Sequence, residues 1–164
     1  MATADISDGM IKFLNFRISQ EENSSRLYLA MSVWLNFKGY AGAAKLWKTY
    51  SVEEQKHADW AYQYLLDLNA MPVVPALKQP VSEFKSLPQI ILASKKHEIT
   101  VTDQCQSLAK AAQAEADYMT VELAQRYLKE QVEELGKTQY WIDKLEAFGV
   151  HKTALRLLDD EMGA

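Results

Sequence analysis

The positions of the helix-breaking residues constrain this chain more than any other feature of its sequence. Its four prolines all lie in one segment, at Pro72, Pro75, Pro80 and Pro88. The six glycines fall almost entirely outside the segments with periodic apolar residues. The stretches between these points predict long helices at about 10–38, 43–70, 89–115 and 118–148, and a short one at about 152–161. Four helices of nearly equal length favour an all-α fold, a four-helix bundle over about 10–148 with a short fifth helix after it.

The lengths of the connections predict how these helices are arranged. Residues 39–42 and 116–117 are long enough only for tight reversals, so the helices on either side should be antiparallel. Residues 71–88 could instead run the full length of a helix, at about 3.3 Å per residue. The sequence therefore predicts one long crossover between the second and third helices. Ser86 and Asp117 are expected to cap the third and fourth helices.

Length, composition and charge exclude several classes of protein. The 164 residues predict a single domain, residues 1–164, on a prior of about 150 residues per domain. An apolar share of 48% argues against disorder, and a net charge of −4 argues against nucleic acid as a partner. No apolar run reaches the ~18 residues of a membrane span, and the N-terminal MATADISDGMIKF lacks the basic flank and apolar core of a secretory signal. The single cysteine, Cys105, fits a reducing compartment, so we expect a cytoplasmic protein that binds neither membrane nor nucleic acid.

Ionisable side chains interrupt the apolar seams of the four long helices near their middles. The seams follow alternating spacings of three and four residues. Their central polar residues are Glu21, Glu54, His57, Glu98, Gln131 and Glu134. At 1.5 Å of rise per residue, Glu54, Glu98 and Glu134 lie about 24–25 Å from the shared lower end of the bundle, and Glu21 lies about 16 Å from it. Helix ends that are uncertain by about 3–6 Å are compatible with a single level. These residues therefore predict one polar layer in the core.

A core layer with four carboxylates requires compensating charge. Unpaired buried carboxylates cost several kcal/mol each, and no Lys or Arg occupies these mid-seam positions. Two divalent cations would balance the four negative charges. Glu54 and His57, three residues apart, lie on one face of the second helix, an arrangement known from di-iron carboxylate bundles. Oxygen-rich ligation with one histidine suits iron or manganese better than a metal that prefers thiolate.

Some of these residues have a plainer explanation when each is taken alone. Glu54 and His57 could lie on a solvated helix face, which is a common place for such a pair. Tyr28 lies on the seam of the first helix and could simply pack in the core, or it could donate an electron or a hydrogen bond to a metal centre. His97 and His151 are expected to be solvated or peripheral and are assigned no chemistry.

Further acidic residues adjoin the layer. Glu53 directly precedes the second-helix glutamate, and Glu130, Glu133 and Glu134 lie at i, i+3 and i+4 on one face of the fourth helix. A solvated acidic stripe would explain this spacing. A third metal position that shares Glu134 with the first two would explain it equally well.

Taken together, these residues resemble those of the bacterial non-haem ferritins, along nearly the whole chain. The matching segments are EENSSRLYLAMSVW with Glu21 and Tyr28, then Gly42-Ala43-Ala44, EEQKH at 53–57, KKHEIT with Glu98, and YLKEQVEE ending at Glu134. Each candidate ligand lies on the helix, and in the order, that this family has.

The resemblance implies a ferritin-like bundle with a ferroxidase centre. One iron would be held by Glu21, Glu54 and His57, and the other by Glu54, Glu98 and Glu134, with Gln131 nearby. A third iron site would map onto Glu53, Glu130, Glu133 and Glu134, with Tyr28 as a redox-active neighbour between the sites. Two Fe(II) ions would be oxidised by dioxygen or hydrogen peroxide, and Fe(III) mineral would be deposited inside a cage of twenty-four subunits.

Single positions separate this chain from related families. Gln131-x-x-Glu134 stands where bacterioferritins have a second E-x-x-H, and Gln55 stands where they have a haem-ligating methionine, so no haem is expected. Two alternatives to an iron-storage protein stay open. One is a di-iron or Mn/Fe carboxylate oxidoreductase that forms no cage, and the other is a helical scaffold with a non-catalytic metal site.

Overall fold

A computed structural model gives the architecture of the chain and describes residues 6–164. Residues 1–5 belong to the expected domain 1–164 and to the segment examined for a secretory signal, and they lie outside the described residues.

The described residues fold into five helices and form no strand. The helices are α1 (Asp8–Phe37), α2 (Ala41–Asp67), α3 (Leu87–Ala114), α4 (Tyr118–Phe148) and α5 (Lys152–Gly163). Every end lies within three residues of its predicted position, and the predicted all-α fold is confirmed. Within residues 6–164, none of these helices has the length and apolar character needed to cross a membrane.

Side-chain caps determine where four of the helices begin. Ser7, Ser86 and Asp117 each accept a hydrogen bond from the backbone N–H three residues further on, at 3.0, 3.2 and 3.0 Å. The two caps expected from the sequence, Ser86 and Asp117, are therefore confirmed. His151 caps α5 in the same way through its Nδ1, at 3.3 Å, so its role is at a helix start.

The connection between α2 and α3 runs along the outside of the bundle. Near its start, the Val73 N–H donates a hydrogen bond to Asn15 Oδ1 at 2.8 Å, close to the first turns of α1. Near its end, the Phe84 ring meets the Trp34 ring edge-on at 6.0 Å, in the last turn of α1. The segment thus crosses from one end of α1 to the other, as the predicted long crossover requires. The chain consists of two antiparallel helix hairpins, α1–α2 and α3–α4, joined by this crossover.

The apolar core is divided into two clusters, one toward each end of the bundle. The first includes Leu14, Ile18, Leu65, Val101, Leu108 and Ala124. The second includes Met31, Leu35, Trp47, Tyr50, Ile91 and Trp141. The mid-helix polar residues occupy the level between them, so burial of both clusters fixes the helix spacing around the polar layer.

The fifth helix lies against the start of α2 through an unusually close backbone contact. A Cβ atom on Gly42 would lie 1.9 Å from the carbonyl oxygen of Asp159, so only glycine permits this approach. The Ala43 N–H donates a hydrogen bond to Asp159 Oδ1 at 2.7 Å. Leu155, Leu158 and Met162 then join the second apolar cluster, which anchors α5 to the bundle.

Candidate metal centre

The six residues predicted to form the polar layer come together in the core. Glu21 comes from α1, Glu54 and His57 from α2, Glu98 from α3, and Gln131 and Glu134 from α4. All six are buried, with 1–5% of each residue exposed. The apolar residues above and below give each helix the register that turns these side chains inward.

The first group of possible ligands consists of Glu21, Glu54 and His57. Each offers one donor atom, and the three atoms lie within 4.8 Å of one another. His57 Nδ1 is 3.2 Å from Glu54 Oε2 and 3.9 Å from Glu21 Oε2. The i, i+3 spacing on α2 places the carboxylate and the imidazole side by side, and α1 supplies the third donor.

The second group consists of Glu54, Glu98 and Glu134, again with one donor atom from each within 4.8 Å of the others. Glu54 therefore belongs to both groups. Glu98 is held in place from two sides. Gln131 Nε2 donates a hydrogen bond to Glu98 Oε2 at 3.0 Å, and the Tyr28 hydroxyl donates one to Glu98 Oε1. In this arrangement Gln131 and Tyr28 orient a carboxylate of the centre.

Burial perturbs the protonation of these acids. Burial raises the pKa of Glu54 well above its ordinary value, and the nearby Glu21 and Glu98 carboxylates raise it further. Burial also raises the pKa of Glu98, although its hydrogen bonds from Tyr28 and Gln131 oppose the change. For Glu134, burial raises the pKa to about 7 against the opposing effect of Lys137. The layer thus holds more negative charge than it can stabilise alone, and bound cations would relieve this strain.

Two basic residues reach the layer from positions beside the seams. Arg17 is 1% exposed, and its Nε lies 2.8 Å from Glu21 Oε1. Lys137 Nζ lies 2.8 Å from Glu134 Oε1. Neither occupies a seam position. Each is one helical turn from its partner, and its long side chain reaches back to the carboxylate. The i, i+4 spacing of Arg17 and Glu21, and the i, i+3 spacing of Glu134 and Lys137, were the signals in the sequence.

Tyr28 lies beside the centre and packs against two other rings. Its ring lies 6.1 Å from that of Tyr50 and 5.7 Å from that of His97. Burial raises the pKa of Tyr28 well above its ordinary value, and Glu98 raises it further, so the phenol stays protonated. His97 was expected to be solvated or peripheral. It is in fact half-buried, within 2.7 Å of Ser24 Oγ, and burial lowers its pKa.

The acids predicted to form a third metal position are not gathered into one group. Glu53 Oε2 lies 3.2 Å from Lys137 Nζ. Glu130 Oε1 lies 3.5 Å from His57 Nε2, on the opposite side of the ring from Glu54. Glu133 is exposed. Among residues 6–164, the groups that could hold a metal ion are the two described above, and they include Glu134 but none of these three acids.

The donor atoms of the two groups suit two divalent cations. Carboxylate oxygens with a single imidazole nitrogen match Fe(II) or Mn(II). A shared carboxylate keeps two ions close together, which is the requirement for two-metal chemistry. Glu130, facing the far nitrogen of His57, is placed to orient the imidazole.

Comparison with known proteins agrees with this architecture. A family model described as a ferritin-like domain matches residues 11–148. A probable bacterial non-heme ferritin-like protein from Haemophilus influenzae is 32% identical over 158 residues, which is 96% of either chain. A bacterial non-heme ferritin from Escherichia coli is 33% identical over 153 residues, or 93% of either chain. The open-pore ferritin of the hyperthermophilic archaeon Archaeoglobus fulgidus superposes with a TM-score of 0.95 at 31% identity, over 98% of both chains.

The crossover bundle and its central carboxylate layer define a class, the ferritin-like four-helix bundles. The matches to known proteins identify the family within this class, because they extend along nearly the full length of both this chain and its relatives. The chain belongs to the ferritin family, as its resemblance to the bacterial non-haem ferritins predicted.

Proposed function

We propose that this chain is an iron-storage ferritin whose two ligand groups form a ferroxidase centre. The observation that carries the proposal is the membership of Glu54 in both groups, because a shared carboxylate places two iron ions side by side. Glu21 and His57 would complete the first position, and Glu98 and Glu134 the second. Tyr28 and Gln131 would hold Glu98 in its binding orientation.

The substrate in this proposal is a pair of Fe(II) ions, each of which gives up one electron. Dioxygen would take up the two electrons and two protons to leave as hydrogen peroxide, or hydrogen peroxide would take them up to leave as two waters. Tyr28 stays a protonated phenol next to Glu98, where it can donate an electron or a hydrogen bond. The apolar clusters on both sides limit the access of water to the centre.

We further propose that the chain, residues 1–164, acts as one domain and assembles with itself into a cage of twenty-four subunits that stores Fe(III) mineral in the cytoplasm. The ferritin fold supports self-association, and so does the apolar surface on α1. Val33 and Phe37 are 62% and 82% exposed beside Pro80 of the crossover. Patches of this kind on a folded chain mark interaction surfaces.

The test is stopped-flow absorbance after metal-free protein is mixed with two Fe(II) per chain in air, with size exclusion on the same sample. We expect rapid formation of a diferric species by a particle of about twenty-four chains. Glu54→Gln should abolish the rapid phase because it removes the shared ligand. Glu133→Gln, an exposed acid one residue from Glu134, is the matched control and should leave the rapid phase unchanged.

Other outcomes would favour the alternatives. Rapid oxidation by a small oligomer would indicate a di-iron or Mn/Fe oxidoreductase that forms no cage. Oxidation no faster than in buffer, with metal still bound, would indicate a helical scaffold with a non-catalytic metal site.

A further inference from the structure

The ammonium group of Lys137 bridges two acids on different helices at the edge of the centre. Its Nζ lies 2.8 Å from Glu134 Oε1 on α4 and 3.2 Å from Glu53 Oε2 on α2. It donates a hydrogen bond to each, and it lies 5.7 Å from the centroid of the Tyr50 ring. One positively charged group is thus the hydrogen-bond donor to two carboxylates, one on each helix.

These two carboxylates are half of the set expected to hold a third metal ion. The other two members do not point to the same place. Glu130 lies 3.5 Å from His57 Nε2, and Glu133 is exposed on the surface of α4. The four acids expected to hold a third metal ion therefore lie in three different surroundings.

A metal ion and the lysine would compete for the same oxygen atoms. Carboxylate oxygens bind a divalent cation at about 2.0–2.2 Å. An ion bound to Glu134 Oε1 could therefore lie no more than about 5 Å from Nζ, given the 2.8 Å between that oxygen and Nζ. Two positive charges this close repel strongly in a half-buried site. The ammonium also reduces the net charge of Glu53 and Glu134 from −2 to −1. Because Glu134 would also hold the second ion of the proposed centre, little negative charge is left to attract a third cation.

We infer that Lys137 is a built-in cation that takes the place of the third metal ion, so that each chain binds metal only at the two positions that share Glu54. The inference rests on the proposed two-metal centre and limits it to two ions. The lysine offsets one of the two negative charges of Glu53 and Glu134 at all times, whereas a metal ion would supply positive charge only while bound.

The test uses Zn(II) as a redox-inert probe on the assembled protein. Crystals of the wild type, Lys137→Met and Lys129→Met are soaked in Zn(II), and anomalous difference density at the zinc edge locates the ions. Methionine keeps the length of the lysine stem and removes its charge. Lys129 is an exposed lysine on the same helix, so Lys129→Met controls for the loss of one positive charge. Isothermal titration calorimetry on the same proteins counts the ions bound in solution.

We expect two zinc ions per chain at the Glu54 pair in all three proteins. Lys137→Met should gain one further ion between Glu53 and Glu134, and adding Glu53→Gln should remove it. If Lys137→Met folds poorly, Lys137→Gln replaces it with the same expectation.

Two results would overturn the inference. One is wild-type density between Glu53 and Glu134 with Lys137 displaced, and the other is no added ion in either Lys137 variant. Failure of the proposed function is seen separately, as zinc missing from the Glu54 pair in every protein. The density between Glu53 and Glu134 still decides the role of Lys137 in that case.

Discussion

Replacing Glu134 with glutamine should change how the stability of the metal-free protein depends on pH. Burial raises the pKa of this carboxyl from an ordinary 4.5 to about 7 in the folded chain. Below pH 4.5 the carboxyl is protonated in both the folded and the unfolded chain, so its ionisation does not change the free energy of unfolding. As the pH rises from 4.5 to about 7, the unfolded chain loses the proton while the folded chain keeps it, so the fold loses stability. Glutamine cannot ionise and removes this loss.

The size of the effect follows from the pKa difference. A displacement from 4.5 to about 7, at about 1.4 kcal/mol per unit, corresponds to about 3 kcal/mol of unfolding free energy. This loss is complete once the pH exceeds about 7. The unfolding free energy of Glu134→Gln minus that of the wild type should therefore rise by about 3 kcal/mol between pH 4.5 and pH 8. Glu54 and Glu98 are present in both proteins, so their own raised pKa values largely cancel in the difference.

The assay is urea unfolding of chelator-treated protein at several pH values, followed by far-ultraviolet circular dichroism. Glu133→Gln is the control, since it removes an exposed carboxylate from the neighbouring position and should follow the wild-type curve. Parallel pH curves for wild type and Glu134→Gln would refute the argument. They would mean that Glu134 is as well solvated in the folded chain as in the unfolded one.

Four further expectations concern other residues of the chain. Arg17→Met should lower the unfolding free energy of metal-free protein by about 3–5 kcal/mol, because Glu21 would stay buried without its cation; a loss below about 1 kcal/mol in urea unfolding would contradict this. Gly42→Ala should displace α5 and speed hydrogen exchange in residues 152–163, since its Cβ would lie 1.9 Å from a carbonyl oxygen. Gly136→Ala meets no atom within 4 Å and should instead stabilise the chain by about 0.5–1 kcal/mol; a destabilised Gly136→Ala would show that α4 needs a glycine there. Burial raises the pKa of Cys105 to about 12, so Ellman's reagent at pH 8 should label it only after unfolding, and labelling of the folded protein would contradict its burial.

The helices and the polar layer could be predicted because their signals are local or periodic. Ser86 and Asp117 mark helix starts through their own backbone geometry, and the clustering of the prolines marks the crossover. Glu21 and Glu98 follow from seam spacing, since a helix turns every residue at that spacing toward the same side. None of these inferences needs the length or direction of a side chain.

The contacts made by long or off-seam side chains could not be predicted in this way. Arg17 and Lys137 lie beside the seam, and they reach the layer only because their stems extend along the helix. His97 also lies outside the seam, yet it packs edge-on against the Tyr28 ring. Periodicity assigns each residue to a face of its helix, but it does not show how far a flexible side chain reaches from that face.

The two helix hairpins contribute unequally to the two ligand groups. One group lies within a single hairpin, and the other takes residues from both hairpins. Glu21, Glu54 and His57 all belong to the hairpin α1–α2, whereas Glu98 and Glu134 come from α3–α4. If the chain were cut in the crossover, its N-terminal piece would carry every donor of the first group. The second group would exist only while the two pieces stayed docked, so an ion bound there would hold the two halves of the molecule together.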